Sequence, residues 1–353
     1  MMDSSLVWEE MDMNAAALDF GQLFPEFTFD GKEVFSYVMQ GELWEAVKAL
    51  GNGVTGAIEF QKGELRTLFL TILILGIVAA LFSNFADLFK DHQVSDLAFY
   101  FVYLLLIAVL LKFFVDAGTI VQEILHNVTT FIRLYIPTYM IAVGSASGLA
   151  SASAYYHLLL VVVYLIEWGY LSILLPLVYG YVFLTVVNGI WMEEKLALLL
   201  ELIQKMIGVS IKVTLGVITG FGLLQAMISP VIDSLQSSAL KKAVSALPGI
   251  GGLSEGMFEM VIGSAVLVKN SIGIYITLVL ILLCGIPILK LALVSCVIKL
   301  SAALIGIVSD RRMINCANRV GDGNLMLLKI ALASVGMFVI QIAIITYTTG
   351  RNM

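Results

Sequence analysis

Few residues in this 353-residue chain are placed to do chemistry, and the ionisable groups in or beside its apolar stretches are where any chemistry has to start. Glu167 is the only acid between Glu123 and Glu193. A carboxyl at membrane depth is costly unless it is hydrated or paired, so a proton or cation site is one reading. Tyr164, Trp168 and Tyr170 surround it in sequence, and an aromatic cluster of that kind marks a membrane–water interface, which is the other reading. Glu201, Lys205 and Lys212 fall within about 40° of one another on a helix advancing 100° per residue. Glu201 and Lys205 stand in the favourable i, i+4 order. Lys212 either lines a polar path or snorkels to the bilayer surface, and snorkelling is expected. Lys290 and Lys299 are nine residues apart, on opposite faces of a straight helix, so they build no charged stripe. Glu167, Lys212 and Lys299 are therefore the candidate intramembrane polar residues.

No phosphate-binding loop, nucleophile elbow, metalloprotease helix or paired carboxylates occur in a polar context, so no catalytic residues are assigned and the chain is not expected to be an enzyme. Cys284, Cys296 and Cys316 lie in apolar surroundings without metal-ligand spacing and read as small buried hydrophobes. His92, His126 and His157 are scattered. No metal and no cofactor are expected.

The elements that must position these groups are membrane helices. Hydrophobic residues make up 60% of the chain and charged residues 13%, about half the charged share of a soluble domain. Too little polar surface remains to cover a water-soluble particle, which excludes a cytosolic enzyme, a disordered chain and a nucleic-acid-binding domain. Residues 1–66 carry twelve acids against four bases, a net of −8, while the chain as a whole is −6. The chain thus divides into an acidic N-terminal segment, 1–66, and a polytopic body, 67–350.

A bilayer core needs roughly 20 apolar helical residues to cross it. Uncharged stretches run from Thr67 to Ala86, Leu97 to Leu111, Leu134 to Ile166, Trp168 to Met192, Val213 to Ile232, Asn270 to Leu289 and Ile330 to Gly350, and Leu291 to Ser309 is broken only by Lys299. The expected fold is all-α, with about eight transmembrane helices and re-entrant or broken segments. Two places suggest breaks: the small-residue run Gly144 to Ala154, and Pro248 to Gly256 followed by the short apolar run Met257 to Val268. Gly144, Gly148, Pro248, Gly249, Gly251, Gly252 and Gly256 are the candidate pore or packing residues. Arg311, Arg312 and Arg319 read as one basic loop, and Lys241, Lys242 and Lys269 as another; the positive-inside rule puts both in the cytoplasm. Eight spans then leave the N-terminal segment outside, and nine leave it inside.

A degenerate repeat links 144–232 with 248–349: each has a small-residue segment, an apolar run, a proline-bearing span (Pro176, Pro287) and a lysine-bearing one (Lys212, Lys329). In the acidic segment, Leu43, Val47, Leu50, Val54 and Ile58 share one face of an amphipathic helix that can lie on the membrane, pack on the bundle or bind another subunit, with packing on the chain's own bundle expected. The opening MMDSSLVWEEMDMN lacks the basic start and apolar core of a signal peptide.

Ser245-Ala-Leu-Pro-Gly-Ile-Gly-Gly252, Leu267-Val-Lys-Asn-Ser-Ile-Gly273, Gly285-Ile-Pro-Ile-Leu289 and Ser309-Asp-Arg-Arg312 together resemble the stage III sporulation protein AE family over residues 60–349. The resemblance implies a component of the channel, or feeding tube, between mother cell and forespore during endospore formation, seated in the mother-cell membrane around the forespore. It implies as partners the other proteins of that complex, among them a secretion-type ATPase and ring-forming proteins, with the lipid bilayer and another copy of the chain also expected and no nucleic acid. It implies a role as an oligomeric platform or conduit, against the alternatives of a secondary transporter and a purely structural anchor. Family members commonly begin with a signal peptide, which implies a tail between the two membranes.

Overall fold

A computed structural model describes residues 31–52, 63, 65–78, 81, 92–147, 161–190, 195–245, 251–306 and 311–350, and the regular elements among them are all helices. They are α1 (Gly31–Gln40), α2 (Leu43–Asn52), α3 (Leu65–Val78), α4 (His92–Ser147), α5 (Val161–Gly189), α6 (Ala197–Ser245), α7 (Gly251–Ile305) and α8 (Arg311–Gly350). Five of them are long and apolar enough to cross a membrane, over Tyr100–Arg133, Val161–Gly189, Ala197–Leu224, Asn270–Leu304 and Arg311–Ile344, while Leu65–Val78 is shorter. The chain is thus an all-helical protein of membrane-spanning character.

Charges that divide the sequence into apolar runs do not divide the helices. Lys290 separates Asn270–Leu289 from Leu291–Ser309 in sequence, yet both belong to the single helix α7, which also passes through Pro287. Lysine is a good helix former, so it interrupts hydropathy without ending a helix. A proline's lost hydrogen bond is tolerated where neighbouring helices hold the segment in place. The expected break before Asn270 is also absent: α7 runs unbroken from Gly251, through Gly252 and Gly256, to Ile305. At the other expected break, α4 continues through Gly144 to Ser147. Gly148, Pro248 and Gly249 lie outside the described residues. Arg311, Arg312 and Arg319 occupy the first turns of α8, not a loop. Because α7 is one helix, Lys269 and Arg311 flank opposite ends of its apolar span, and their charges do not mark a common side as expected.

Side-chain contacts fix the helix directions. Asn188 Oδ1 accepts the Leu196 N–H at 2.9 Å and Tyr170 OH meets Thr214 Oγ1, so α5 and α6 form an antiparallel hairpin. Lys299 meets Asn318 and Asp322, so α7 and α8 form another. Phe114 lies against Gly323 and Phe131 against Phe338, which makes α4 parallel to α8. The Gln341 amide donates to the Ile218 carbonyl and Ile344 covers Gly222, so α6 is parallel to α8 as well. Helix α8 is the centre of the bundle, packed against α4, α5, α6 and α7. Within α5 a π turn at Tyr170–Leu174 directly precedes Pro176. Widening the turn there accommodates the amide hydrogen bond that proline cannot make.

The acidic segment packs on the bundle through α1 more than through the expected face of α2. Val34, Phe35 and Val38 are buried, with the Phe35 ring edge-on to Tyr275 of α7. On α2 the buried residue is Ala46, while Leu43 and Val47 remain exposed; Val54 and Ile58 lie outside the described residues. Gly41, at φ +79°, ends α1: its N–H bonds the Val38 carbonyl and the next N–H, of Glu42, reaches back to Tyr37. This double cap needs a left-handed residue. Gly41→Ala is expected to cost about 1 kcal/mol locally, read as faster amide exchange over 31–52 with α4 to α8 unchanged.

Candidate functional site

The spacing of Val163, Glu167, Tyr170 and Leu174 places all four on the inner face of α5, and each is buried. Tyr164 and Trp168, four residues apart, point outward and are exposed. The aromatic cluster that suggested an interface therefore splits: two of its rings face out, and Tyr170 turns inward beside the carboxyl. Glu167 is only 2% exposed, and Ser334 Oγ of α8 donates to its Oε1 at 2.5 Å. Its Oε2 has no hydrogen-bond partner among the described residues. Helices α5 and α8 meet at Glu167, which also forms part of the wall of an apolar groove of about 300 Å³ between α4 and α5. Arg133 lies at that groove too, with its guanidinium 6.0 Å from the Tyr164 ring.

A second polar centre joins α7 to α8. Lys299 Nζ lies 2.7 Å from Asp322 Oδ1 and donates to Asn318 Oδ1 at 3.2 Å. Gly321 makes room for the lysine stem, since a Cβ there would stand 2.9 Å from Lys299 Cγ. Asn324 is fully buried, and neither of its amide atoms has a partner among the described residues; the same holds for Thr185 Oγ1 on α5.

Of the three polar candidates, Glu167 and Lys299 turn inward to specific partners, while Lys212 is exposed on α6. The two inward centres are separate, with Ser334 twelve residues beyond Asp322 on α8. Sequence reasoning passed over Asp322, Asn324, Ser334 and Gln341. A usable signal was present for the first two, because Gly321-Asp-Gly-Asn324 is a polar interruption with small flanks, as close helix contact requires. Ser334 and Gln341 carry no local signal. Among the described residues no three His, Cys, Asp or Glu side chains converge as a metal site would require. The two centres join α5 to α8 and α7 to α8.

A model of the family described as stage III sporulation protein AE matches residues 29–349. The stage III sporulation protein AE of Bacillus subtilis (strain 168) is 23% identical over 278 residues, covering 78% of this chain and 70% of that protein. No solved structure matches the chain.

Proposed function

We propose a function from one plain premise: the chain belongs to the stage III sporulation protein AE family. On that premise it is a multi-pass component of the channel between mother cell and forespore, seated in the mother-cell membrane around the forespore and needed for late forespore development. It works there as a non-enzymatic oligomeric platform or conduit, together with the other proteins of the stage III complex.

The observation that supports a platform over a single-chain pore is the closed centre of the bundle. Val178 and Val182 of α5, Val320, Leu327, Ile330 and Ala331 of α8 are all without exposure. A solute path through one chain needs a continuous polar lining, and among the described residues this part of the interior is packed with apolar side chains. A passage built from such chains runs between them. Deletion of the gene is expected to arrest late forespore development under the microscope, and normal development would overturn the reading.

The rival reading is a secondary transporter, and it has one observation in its favour: the unpartnered oxygen of a carboxyl buried where α5 meets α8. Glu167→Gln keeps the acceptor for Ser334 and removes the ionisable proton. A platform is expected to tolerate it, with heat-resistant spore yield within about two-fold of wild type. A fall to the level of the deletion strain would instead favour proton or cation coupling at this site.

A further inference from the structure

Two exposed helix faces carry the same charge pattern with opposite sign, and the one on α4 borders a groove that α3 and α7 also line. On α4, Lys112, Asp116 and Glu123 follow spacings of four and seven residues and read +, −, −. On α6, Glu201, Lys205 and Lys212 follow the same spacings and read −, +, +. Four and seven residues bring side chains back to one helical face, so each set is a stripe. All six side chains are exposed and lie within the apolar spans Tyr100–Arg133 and Ala197–Leu224. The ion pairs among the described residues are Lys48–Glu45 and Lys299–Asp322, so none of the six is in an ion pair there, although Lys112 with Asp116 and Glu201 with Lys205 stand at i, i+4 spacing. Lys112 and Asp116 line a groove with Thr67 of α3 and Lys290 of α7, while Glu123, Glu201, Lys205 and Lys212 stand exposed along the apolar spans; charges at that depth are costly, and snorkelling at one lysine relieves only one of them.

The two stripes also stand at matching heights. Both helices run parallel to α8. Through the contacts of α8 with Phe114, Phe131 and Ile218, Phe114 is level with Leu200 of α6 and Phe131 with Leu215. Those offsets, 86 and 84 residues, compare with the 89 that separates each charge from its opposite. The difference is about 5 to 8 Å along the helix, which long lysine side chains and a modest tilt absorb. Within one chain α4 and α6 each pack on α8 and are not closely packed on one another. On α6 the charged face has open glycines: nothing lies within 4 Å of a Cβ built on Gly208 or Gly216. Such positions allow a neighbouring helix to approach closely.

We infer that α6 of one copy packs beside α4 of a second copy in the same membrane, pairing Glu201 with Lys112, Lys205 with Asp116 and Lys212 with Glu123. The inference rests on the platform reading above and gives it a contact surface. Because the two faces differ, the contact is heterologous: each copy offers α6 to one neighbour and α4 to the other, and repetition closes a ring or extends a row. Copies in one membrane share an orientation, so the parallel course of α4 and α6 is the relation that brings all three pairs into register together.

Cross-linking tests the contact independently of spore phenotype. Thr119 precedes Gly208 by the same 89 residues and lies on the charged face of α4. In a chain whose three native cysteines are replaced by serine, Thr119→Cys together with Gly208→Cys is expected to give a ladder beyond the dimer on oxidation of native membranes. Either substitution alone stays short of a ladder. Adding Glu123→Lys or Lys212→Glu is expected to weaken the ladder at least five-fold, and the two reversals together to restore at least half of it. A chain that merely misfolds with one reversed charge is not rescued by a second, so failure of the double reversal to recover overturns the inference. So does the absence of a ladder while both thiols remain open to labelling. If that absence accompanies normal dependence of forespore development on the gene, the contact is wrong and the channel reading stands.

Discussion

Gly323→Val is expected to destabilise the bundle by roughly 3 kcal/mol, lowering the melting temperature of the detergent-purified chain, while Gly336→Val on the same helix shifts it by no more than about 0.5 kcal/mol. A Cβ on Gly323 would overlap Val182 Cγ2 of α5 and stand 3.4 Å from the Phe114 ring of α4. Val182 and Phe114 are themselves fully buried, so neither has space to retreat. Two branched methyl groups beyond that Cβ would drive three helices apart at the centre of the molecule. Around Gly336 nothing lies within 4 Å of the same built atom. The comparison holds residue type, helix and substitution constant and changes only the neighbours. Equal effects at the two positions would mean that α4, α5 and α8 do not meet at Gly323.

Composition made the membrane legible, and the all-helical class followed because long unbroken apolar runs, unlike the short alternating runs of a closed barrel, bond their backbone within one helix. Span boundaries were not legible. Charged residues delimit apolar runs in sequence, but Lys290 sits in the middle of α7 and Lys212 in the middle of α6. Hydropathy reports what a side chain prefers, whereas a helix ends only where its backbone bonding ends. Glu167 was visible as an isolated acid, but its burial was hidden by aromatic neighbours that in fact point to the other side of α5. Its partner Ser334 is 167 residues away and has no local mark, so only the fold identifies it.

The stripe Glu201, Lys205, Lys212 illustrates the same limit from the other side. Its alignment on one helical face follows from spacing alone, and spacing alone suggested snorkelling. What spacing cannot give is the course of α4 parallel to α6, or the exposure of both stripes. Those two facts turn an isolated charged face into half of a complementary pair. Inside the bundle some polar groups are directed at specific neighbours, as with Tyr170 to Thr214 and Gln341 to the Ile218 carbonyl, whereas Asn324 is buried with neither amide atom partnered among the described residues.

Asp322→Ala is expected to cost roughly 2 to 3 kcal/mol, and Lys299→Leu added to it is expected to return most of that loss. The pair is 2.7 Å apart with its side chains 33% and 23% exposed. At a water-facing surface such a pair contributes only about 0 to 1 kcal/mol, because either partner finds solvent when the other is removed. Here the exposed part faces a span surface, and the lysine stem lies flat across Gly321 with its ammonium directed at α8. Loss of the aspartate leaves a cation with one neutral acceptor, Asn318. Replacing the cation as well removes the need for any partner, which is why the double variant, measured as thermal stability in detergent and in reconstituted bilayers, is expected within about 1 kcal/mol of wild type. The alternative is that Lys299 swings toward the α7–α8 turn at Gly306, about 10 Å along the helix, and reaches water there. In that case Asp322→Ala alone costs less than about 1 kcal/mol and Lys299→Leu gives no recovery. The two outcomes separate an ion pair that holds α7 to α8 from one that the membrane surface can replace.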